Sequence, residues 1–192
     1  MSMRSALGIL VLGSLLAGCS SIPRFTRAGE PGELLSAPPA GKALVNFHRP
    51  SNYAGGEDLP VFDRATLIGN TLGGSRFQYV CDPGEHVFIS KKDSVYVVQA
   101  QLQEGKVYDI VIDISMGFWQ MNVHIHALKK DDPRRGEIAG WEKKERLLVP
   151  VRSDDAAGYD KKRQPDLQEI QADFLGGSKS DRVVKLAPDD HR

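Results

Sequence analysis

Between residues 43 and 128 the chain alternates apolar and polar positions with the period of two that a β-strand requires. The clearest case runs from Val107, where Tyr108, Ile110, Ile112 and Ile114 share one face. We predict that this face is buried. Short sequences rich in proline, glycine and aspartate separate such runs and favour tight turns.

Strands of five to eight residues at short, regular intervals are typical of a sandwich or a barrel. We therefore predict a mainly β fold, a compact antiparallel β-sandwich or barrel-like domain that spans residues 43–128. The predicted strands are Ala43–Arg49, Leu59–Asp63, Thr66–Gly69, Ser75–Cys81, His86–Ser90, Val95–Leu102, Val107–Ile114 and Asn122–Leu128.

The rest of the chain is much more highly charged. From Lys129 to Arg192, 29 of 64 residues are charged, against 21 of the 128 residues before them. Residues 129–192 are therefore predicted to form a charged extension without a core of their own. Spacings of three and four among Leu167, Ile170 and Phe174 predict one short amphipathic helix over about 165–175, which docks on the β-domain or in a partner's groove. Residues 178–192 are predicted to be disordered, with transient strand pairing of Val183 to Leu186 as the alternative.

The N-terminus has the pattern of a secretory signal. Arg4 precedes a short apolar run from Ala6 to Leu16, which is too short to span a bilayer as a mature helix. Residues 1–18 are therefore predicted to be a signal peptide. The small residues Ala17 and Gly18 then stand directly before Cys19, and this motif resembles the bacterial lipoprotein lipobox. The resemblance implies lipidation of Cys19 on sulfur, cleavage before it and acylation of the new N-terminus; the alternative is an ordinary secretory signal.

The lipobox resemblance makes this an anchored protein, because several acyl chains on one residue bind a membrane durably. Residues 19–42 hold four prolines and three glycines without a sustained period, which favours a flexible linker behind the anchor. Ser20 follows the cysteine where an inner-membrane retention signal of enteric bacteria has aspartate. The resemblance thus favours the periplasmic face of the outer membrane, with the inner membrane as the alternative.

Composition narrows the classes of partner. The 192 residues carry 25 basic and 25 acidic side chains, so no strong field recruits nucleic acid. With Cys19 committed to lipid, Cys81 is the one remaining cysteine and no internal disulfide is available. Strand alternation places Cys81 with Phe77 and Tyr79, which favours a buried structural cysteine over a reactive thiol.

Two histidines have a spacing that suits a metal ion. His124 and His126 stand two apart in a predicted strand, so their side chains leave the same face. Two ligands do not make a site, and we expect exposed strand positions and no cofactor. Asp109 and Asp113 lie four apart on an outward face, about 13 Å by strand rise, and are predicted to be solvated charges.

An apolar cluster, Met116-Gly117-Phe118-Trp119-Gln120-Met121, joins the last two predicted strands. Such a cluster either caps one end of the sandwich or presents a patch to a partner. In the second interpretation Phe118, Trp119 and Met121 are the contact residues.

The central region is similar to a known family. The residues that carry the resemblance are Ala43 to Pro50, Leu67 to Gly69, Phe77 to His86 with its Pro83-Gly84-Glu85-His86 turn, and Glu104 to Tyr108. Together they resemble the small-lipoprotein family catalogued as domain of unknown function 2846. The resemblance implies a compact β-sandwich on a lipid anchor, and it implies no activity because that family has none established.

The sequence thus favours a non-enzymatic lipoprotein that acts as a binding or structural module of the cell envelope. Its partner would be an envelope protein, peptidoglycan or another glycan. No Ser-His-Asp order, phosphate-binding loop or dinucleotide motif is present. The alternative is a metal-dependent or thiol-dependent periplasmic enzyme that uses His124 and His126, or Cys81.

Overall fold

The computed structural model describes residues 25–92, 94–117, 119 and 121–192. Within these residues eleven strands form two sheets, and their inner faces enclose one large apolar core. The prediction of a mainly β sandwich is confirmed.

Six of the described strands form the first sheet, here sheet A. The strands are β1 (Thr26–Ala28), β2 (Ala43–Arg49), β5 (Ser75–Cys81), β8 (Val107–Met116), β9 (Met121–Ala127) and β10 (Arg146–Pro150). Their order across the sheet is β1-β10-β5-β2-β8-β9.

Five of the described strands form the second sheet, here sheet B. The strands are β3 (Leu59–Asp63), β4 (Thr66–Thr71), β6 (Gly84–Lys91), β7 (Val95–Leu102) and β11 (Val184–Leu186). Their order across the sheet is β11-β7-β6-β3-β4.

The core between the sheets is built on aromatic contacts. Phe47 of β2 stacks on Phe77 of β5 with ring centroids 4.7 Å apart, and it meets Phe88 of sheet B edge-on at 5.2 Å. Gly69 of β4 faces the same cluster, where an added Cβ would lie 2.6 Å from the Phe77 ring. A side chain at position 69 would therefore push the sheets apart.

The sheets are mixed rather than purely antiparallel. β2 pairs with β8 in parallel, and β10 with β5 and β11 with β7 do the same. The chain crosses between the sheets before it returns beside an earlier strand, so short hairpins do not set every strand direction. The alternation of apolar and polar residues within a strand does not indicate whether its neighbour is parallel or antiparallel.

The predicted C-terminal helix is present and longer than expected. α2 spans Asp154–Leu175 and contains Pro165 in its interior. The Ser153 side chain caps it by accepting a hydrogen bond from Ala156 N at 3.2 Å. As predicted, its apolar stripe docks on the β-domain, where Leu167, Ile170 and Phe174 pack on the outer face of sheet B.

The remaining described elements are short. α1 spans Ile138–Lys144 and follows the 3₁₀ turn Pro133–Glu137. Two more 3₁₀ turns occur at Pro31–Glu33 and Ser180–Arg182. α1 lies against Val111 of β8 and against Leu128, which follows β9, through Ile138 and Trp141.

Three strands come from outside the predicted domain of residues 43–128. β1 lies in the predicted linker and pairs with β10, and Gln78 holds Leu35 by both backbone groups at 2.8 Å. β11 lies in the segment predicted to be disordered and pairs with β7. Residues 25–42 and 178–192 are therefore part of the folded unit.

Candidate functional site

The outward face of sheet A carries buried polar side chains. Asn46 and His48 project from β2, and Asp109 projects from β8, where it pairs in register with Asn46. Asn46 is 2% exposed, and His48 and Asp109 are fully buried. They alternate with core residues such as Phe47, so β2 is buried on both faces.

His48 lies between two carboxylates. Its Nδ1–H donates to Glu145 Oε2 at 2.7 Å and its Nε2–H donates to Asp109 Oδ1 at 3.1 Å. Because ionised carboxylates only accept hydrogen bonds, this position favours the imidazolium form, which has a proton on each ring nitrogen. Burial alone would lower the pKa of His48, but the hydrogen bonds to Asp109 and Glu145 outweigh it and raise the pKa.

Asp109 is the centre of the arrangement. Arg192 grips it with two bonds, Nε to Oδ2 at 2.7 Å and Nη2 to Oδ1 at 2.6 Å, and Asn46 Nδ2 donates to Oδ1 at 3.0 Å. Burial would raise the pKa of Asp109, but the bonds from Arg192 and His48 lower it well below its usual value. The prediction of a solvated Asp109 is wrong, because α1 and residues 187–192 cover this face.

Glu142 connects Arg192 to a second arginine. Its Oε1 accepts from Arg192 Nη2 at 2.7 Å and lies 3.3 Å from Nη1 of Arg76, which is 5% exposed. We refer to the whole set as the sheet A ion cluster: His48, Arg76, Asp109, Glu142, Glu145 and Arg192.

α1 closes the cluster from above. The Trp141 ring lies 5.8 Å from the His48 ring, and the Arg134 guanidinium stands over Trp141 at 5.4 Å from the ring centroid. Arg134 also binds Asp113 at 2.9 Å. Glu145 follows directly after α1, so the helix places a carboxylate on His48.

A cleft of about 190 Å³ opens beside Arg192. Asn46, Gln78 and Glu142 supply its polar wall, and the exposed side chains of Leu34 and Leu35 supply its apolar wall. The buried ion cluster thus has one side that a ligand can approach.

The connection between β8 and β9 exposes large apolar groups. Met116 is 64% exposed and Trp119 is 90% exposed. Met121, in contrast, packs partly buried against the core. Phe118, the third predicted contact residue, lies outside the described residues.

His124 and His126 share one face of β9, with ring centroids 6.3 Å apart. Ser115 Oγ lies 3.0 Å from His124 Nε2. Asp113 lies 3.5 Å from His126 Nε2 but is also bound by Arg134. Among the described residues no group of three or more potential metal ligands occurs.

Cys81 is buried and free of disulfides among the described residues. Its neighbour His86 donates from Nδ1 to Asp63 Oδ2 at 2.6 Å and from Nε2 to the Asp82 carbonyl at 2.8 Å. The bond to Asp63 is the largest of the causes that raise the pKa of His86 to about 10. At neutral pH the protonated form of the ring is therefore favoured, held by Asp63.

A second cleft lies between α2 and sheet B and has a volume of about 460 Å³. Its charges are of both signs and are largely paired, as in Lys91 with Asp166 at 2.6 Å and Lys92 with Glu57. Tyr159 forms part of its wall, with the Arg163 guanidinium 5.4 Å from the ring centroid.

Cys19 lies outside the described residues. No helix among the described residues is both long enough and apolar enough to cross a membrane.

Sequence reasoning missed most of the ion cluster. One signal was available in the composition of β2, which has the polar residues Asn46 and His48 among apolar ones. Polar residues inside a fully buried strand need buried partners. That signal indicates partners without naming them.

The arrangement is suited to electrostatic binding. Each charged group of the cluster contacts a group of opposite charge. The part of the cluster that is partly open to solvent is the ion pair of Arg192 and Glu142.

No protein-family model matches this chain, and no curated protein matches it.

Proposed function

We propose that this protein is a non-enzymatic, lipid-anchored binding module of the bacterial cell envelope, held at the periplasmic face of the outer membrane by Cys19. It contacts a protein partner through the apolar tip of the β8–β9 hairpin. The observation that carries the proposal is the exposure of that tip, 90% for Trp119 and 64% for Met116.

The tip lies far from the segment that leads to the anchor. A row of residues that pair across neighbouring strands crosses sheet A from Ala28 of β1 through Phe47 to Ile110 of β8. Thr26 lies two residues to one side of this row and Met116 six residues to the other. Strand rise and strand spacing separate them by about 30 Å. Residues 19–26 span at most about 25 Å when extended.

This separation supports a role in which the tether holds one corner of the domain near the membrane and the opposite corner meets a partner. Tryptophan, phenylalanine and methionine are enriched in the cores of protein interfaces. The tip combines all three types in the six residues Met116 to Met121. A protein is therefore the partner that fits this surface best.

Site-specific photocrosslinking in intact cells tests the proposal. A photoreactive residue at position 119 is expected to give a defined protein adduct, and the same residue at Leu175, an exposed apolar position on α2, is expected to give none. Adducts that match at both positions would overturn the contact proposal.

The anchor is tested separately with Cys19→Ala. This variant is expected to lose acyl labelling and to leave the membrane fraction, since a single cysteine carries the lipid. The position 119 adduct is expected to weaken in the Cys19→Ala background. Full membrane retention of this variant would contradict the anchor while leaving the contact surface open to the crosslinking test.

A further inference from the structure

The sheet A ion cluster is balanced in charge only when Arg192 is seated. It contains three carboxylates, those of Asp109, Glu142 and Glu145, which face the three cations His48, Arg76 and Arg192. Without Arg192 the cluster would hold one negative charge in excess around a fully buried aspartate. A buried charge without a partner is strongly unfavourable. The pocket that Asp109 and Glu142 form around the Arg192 guanidinium therefore requires a cation.

The geometry of the pocket selects a guanidinium. Nε and Nη2 of Arg192 bind the two different oxygens of Asp109, and Nη2 also binds Glu142. A planar fork satisfies these acceptors together, whereas the ammonium group of lysine offers a single point of charge. Asn46 holds the Asp109 carboxylate from the side, which fixes its orientation.

The pocket is open to competition from outside. The side chain of Arg192 is 34% exposed and that of Glu142 is 32% exposed, although Asp109 beneath them is fully buried. The cleft of about 190 Å³ continues from the guanidinium to Gln78 and Leu35. A side chain that replaced Arg192 could therefore enter with the rest of its segment in the cleft.

The segment that carries Arg192 is anchored at Asp190, which is buried, accepts from Lys130 N at 2.8 Å through Oδ1 and accepts from Arg135 through its carbonyl. Arg192 N donates to the Val107 carbonyl at 2.8 Å, and Tyr108 donates to the Pro188 carbonyl at 2.9 Å. Ala187 and Asp189 are exposed. Residues 187–192 thus form a strap over one end of the pocket, anchored at Asp190, and the side chain of Arg192 reaches Asp109 from its end.

We propose that Asp109 and Glu142 form a binding site for guanidinium groups, which Arg192 fills from within the chain and for which an arginine side chain of a peptide ligand competes. Leu34 and Leu35, both exposed beside the cleft, would receive an apolar residue next to that arginine. The site is independent of the hairpin tip.

The test uses the full chain purified in a non-ionic detergent, with L-argininamide as the probe and L-lysinamide as its matched control. Thermal unfolding and calorimetry report binding. Arg192→Ala is expected to bind argininamide in the millimolar range, and lysinamide about tenfold more weakly. The unchanged protein responds less, because its own Arg192 competes at a high effective concentration.

Two variants locate the site. Arg182→Ala removes an arginine that lies over Phe174 on the same C-terminal segment, and it is expected to behave like the unchanged protein. Arg192→Ala combined with Asp109→Asn is expected to lose the argininamide response. A folded Arg192→Ala protein that binds no argininamide, or that binds lysinamide as tightly as argininamide, would overturn the proposal.

Arg192→Lys guards against a loss of folding in the alanine variant. Lysine keeps the positive charge but lacks the fork, so this variant is also expected to gain a response to argininamide. If Arg192→Ala unfolds and Arg192→Lys shows no gain over the unchanged protein, the pocket is only a structural ion pair and the proposal is wrong.

Discussion

The two outer faces of the sandwich are covered by different kinds of contact. On sheet B, Leu167, Ile170 and Phe174 of α2 pack on an apolar cluster of strand residues, and the Lys91–Asp166 ion pair lies at its edge. On sheet A, α1 and residues 187–192 cover a face that holds fully buried charge in Asp109 and His48. The α2 cover of sheet B is held chiefly by the burial of apolar area. The cover of sheet A, formed by α1 and residues 187–192, is held chiefly by matched charges.

The difference teaches how each cover responds to change. Apolar burial is roughly proportional to area and tolerates small shifts in position. A buried ion cluster requires every partner, because removing one leaves the others desolvated and unpaired. The sheet A cover should therefore be more sensitive to single substitutions, to pH and to the loss of Arg192.

The largest expected effect is at Asp109. Asp109→Ala leaves the buried cation of His48 and the partly exposed cation of Arg192 without their shared carboxylate, so the free energy of unfolding is expected to fall by about 4 kcal/mol. Denaturant titration followed by circular dichroism measures the change.

The matched control lies on the same strand. Asp113→Ala removes a carboxylate that is 28% exposed and paired with Arg134, so a loss of at most about 1 kcal/mol is expected. If both substitutions had equally small effects, the ion cluster would contribute no more than a surface pair, and the contrast between the faces would disappear.

On the other face, Phe174→Ala is expected to lower the free energy of unfolding by about 3 kcal/mol. Phe174 is 2% exposed beneath Lys179 and Arg182, and its removal leaves a cavity against sheet B. Because the lost contacts are mainly apolar, the loss should vary little with salt concentration. The neighbouring Leu175→Ala, at a position 37% exposed, should cost below about 1 kcal/mol. A strongly salt-dependent loss at Phe174 would indicate that the cations over its ring, rather than apolar burial, hold this cover.

The same contrast explains what the sequence could predict. Alternation of Tyr108, Ile110, Ile112 and Ile114 and the stripe on α2 are local patterns, and each followed directly from residue spacing. Asp109 reads locally as a solvated charge, because nothing near it in the chain indicates a cover. Its partner Arg192 lies 83 residues away, and such a pairing depends on the tertiary fold.

Two further features of the fold were not predicted, because local residue patterns do not determine them. The first half of α2 lacks an apolar stripe, and a proline such as Pro165 is typical of a helix start. The sequence signal of an earlier N-terminus is Ser153 followed by Asp154 and Asp155. β11 has only three residues, and its place at the edge of β7 follows from the path of the chain rather than from its own pattern.

The smallest expected effect tests whether charged contacts outside the sheet A cluster also depend on pH. The pKa of His86 is raised from 6.5 to about 10, chiefly by its bond to Asp63. The Asp82 carbonyl is a second acceptor for the ring, and Tyr79 also donates to Asp63. Between these two values the folded state holds a proton that the unfolded state has released. The stabilisation is therefore complete below about pH 6.5 and is lost as the pH rises toward 10.

The unchanged protein should exceed His86→Gln in stability by about 2 kcal/mol at pH 6, and this difference should shrink steadily by pH 9.5. His126→Gln is the control, since the side chain of His126 is 48% exposed and burial lowers its pKa. Its difference from the unchanged protein should not shrink over the same interval. A constant difference for His86→Gln would show that His86 stabilises the turn by packing on Phe88 rather than by charge, since the two rings stack at 5.8 Å.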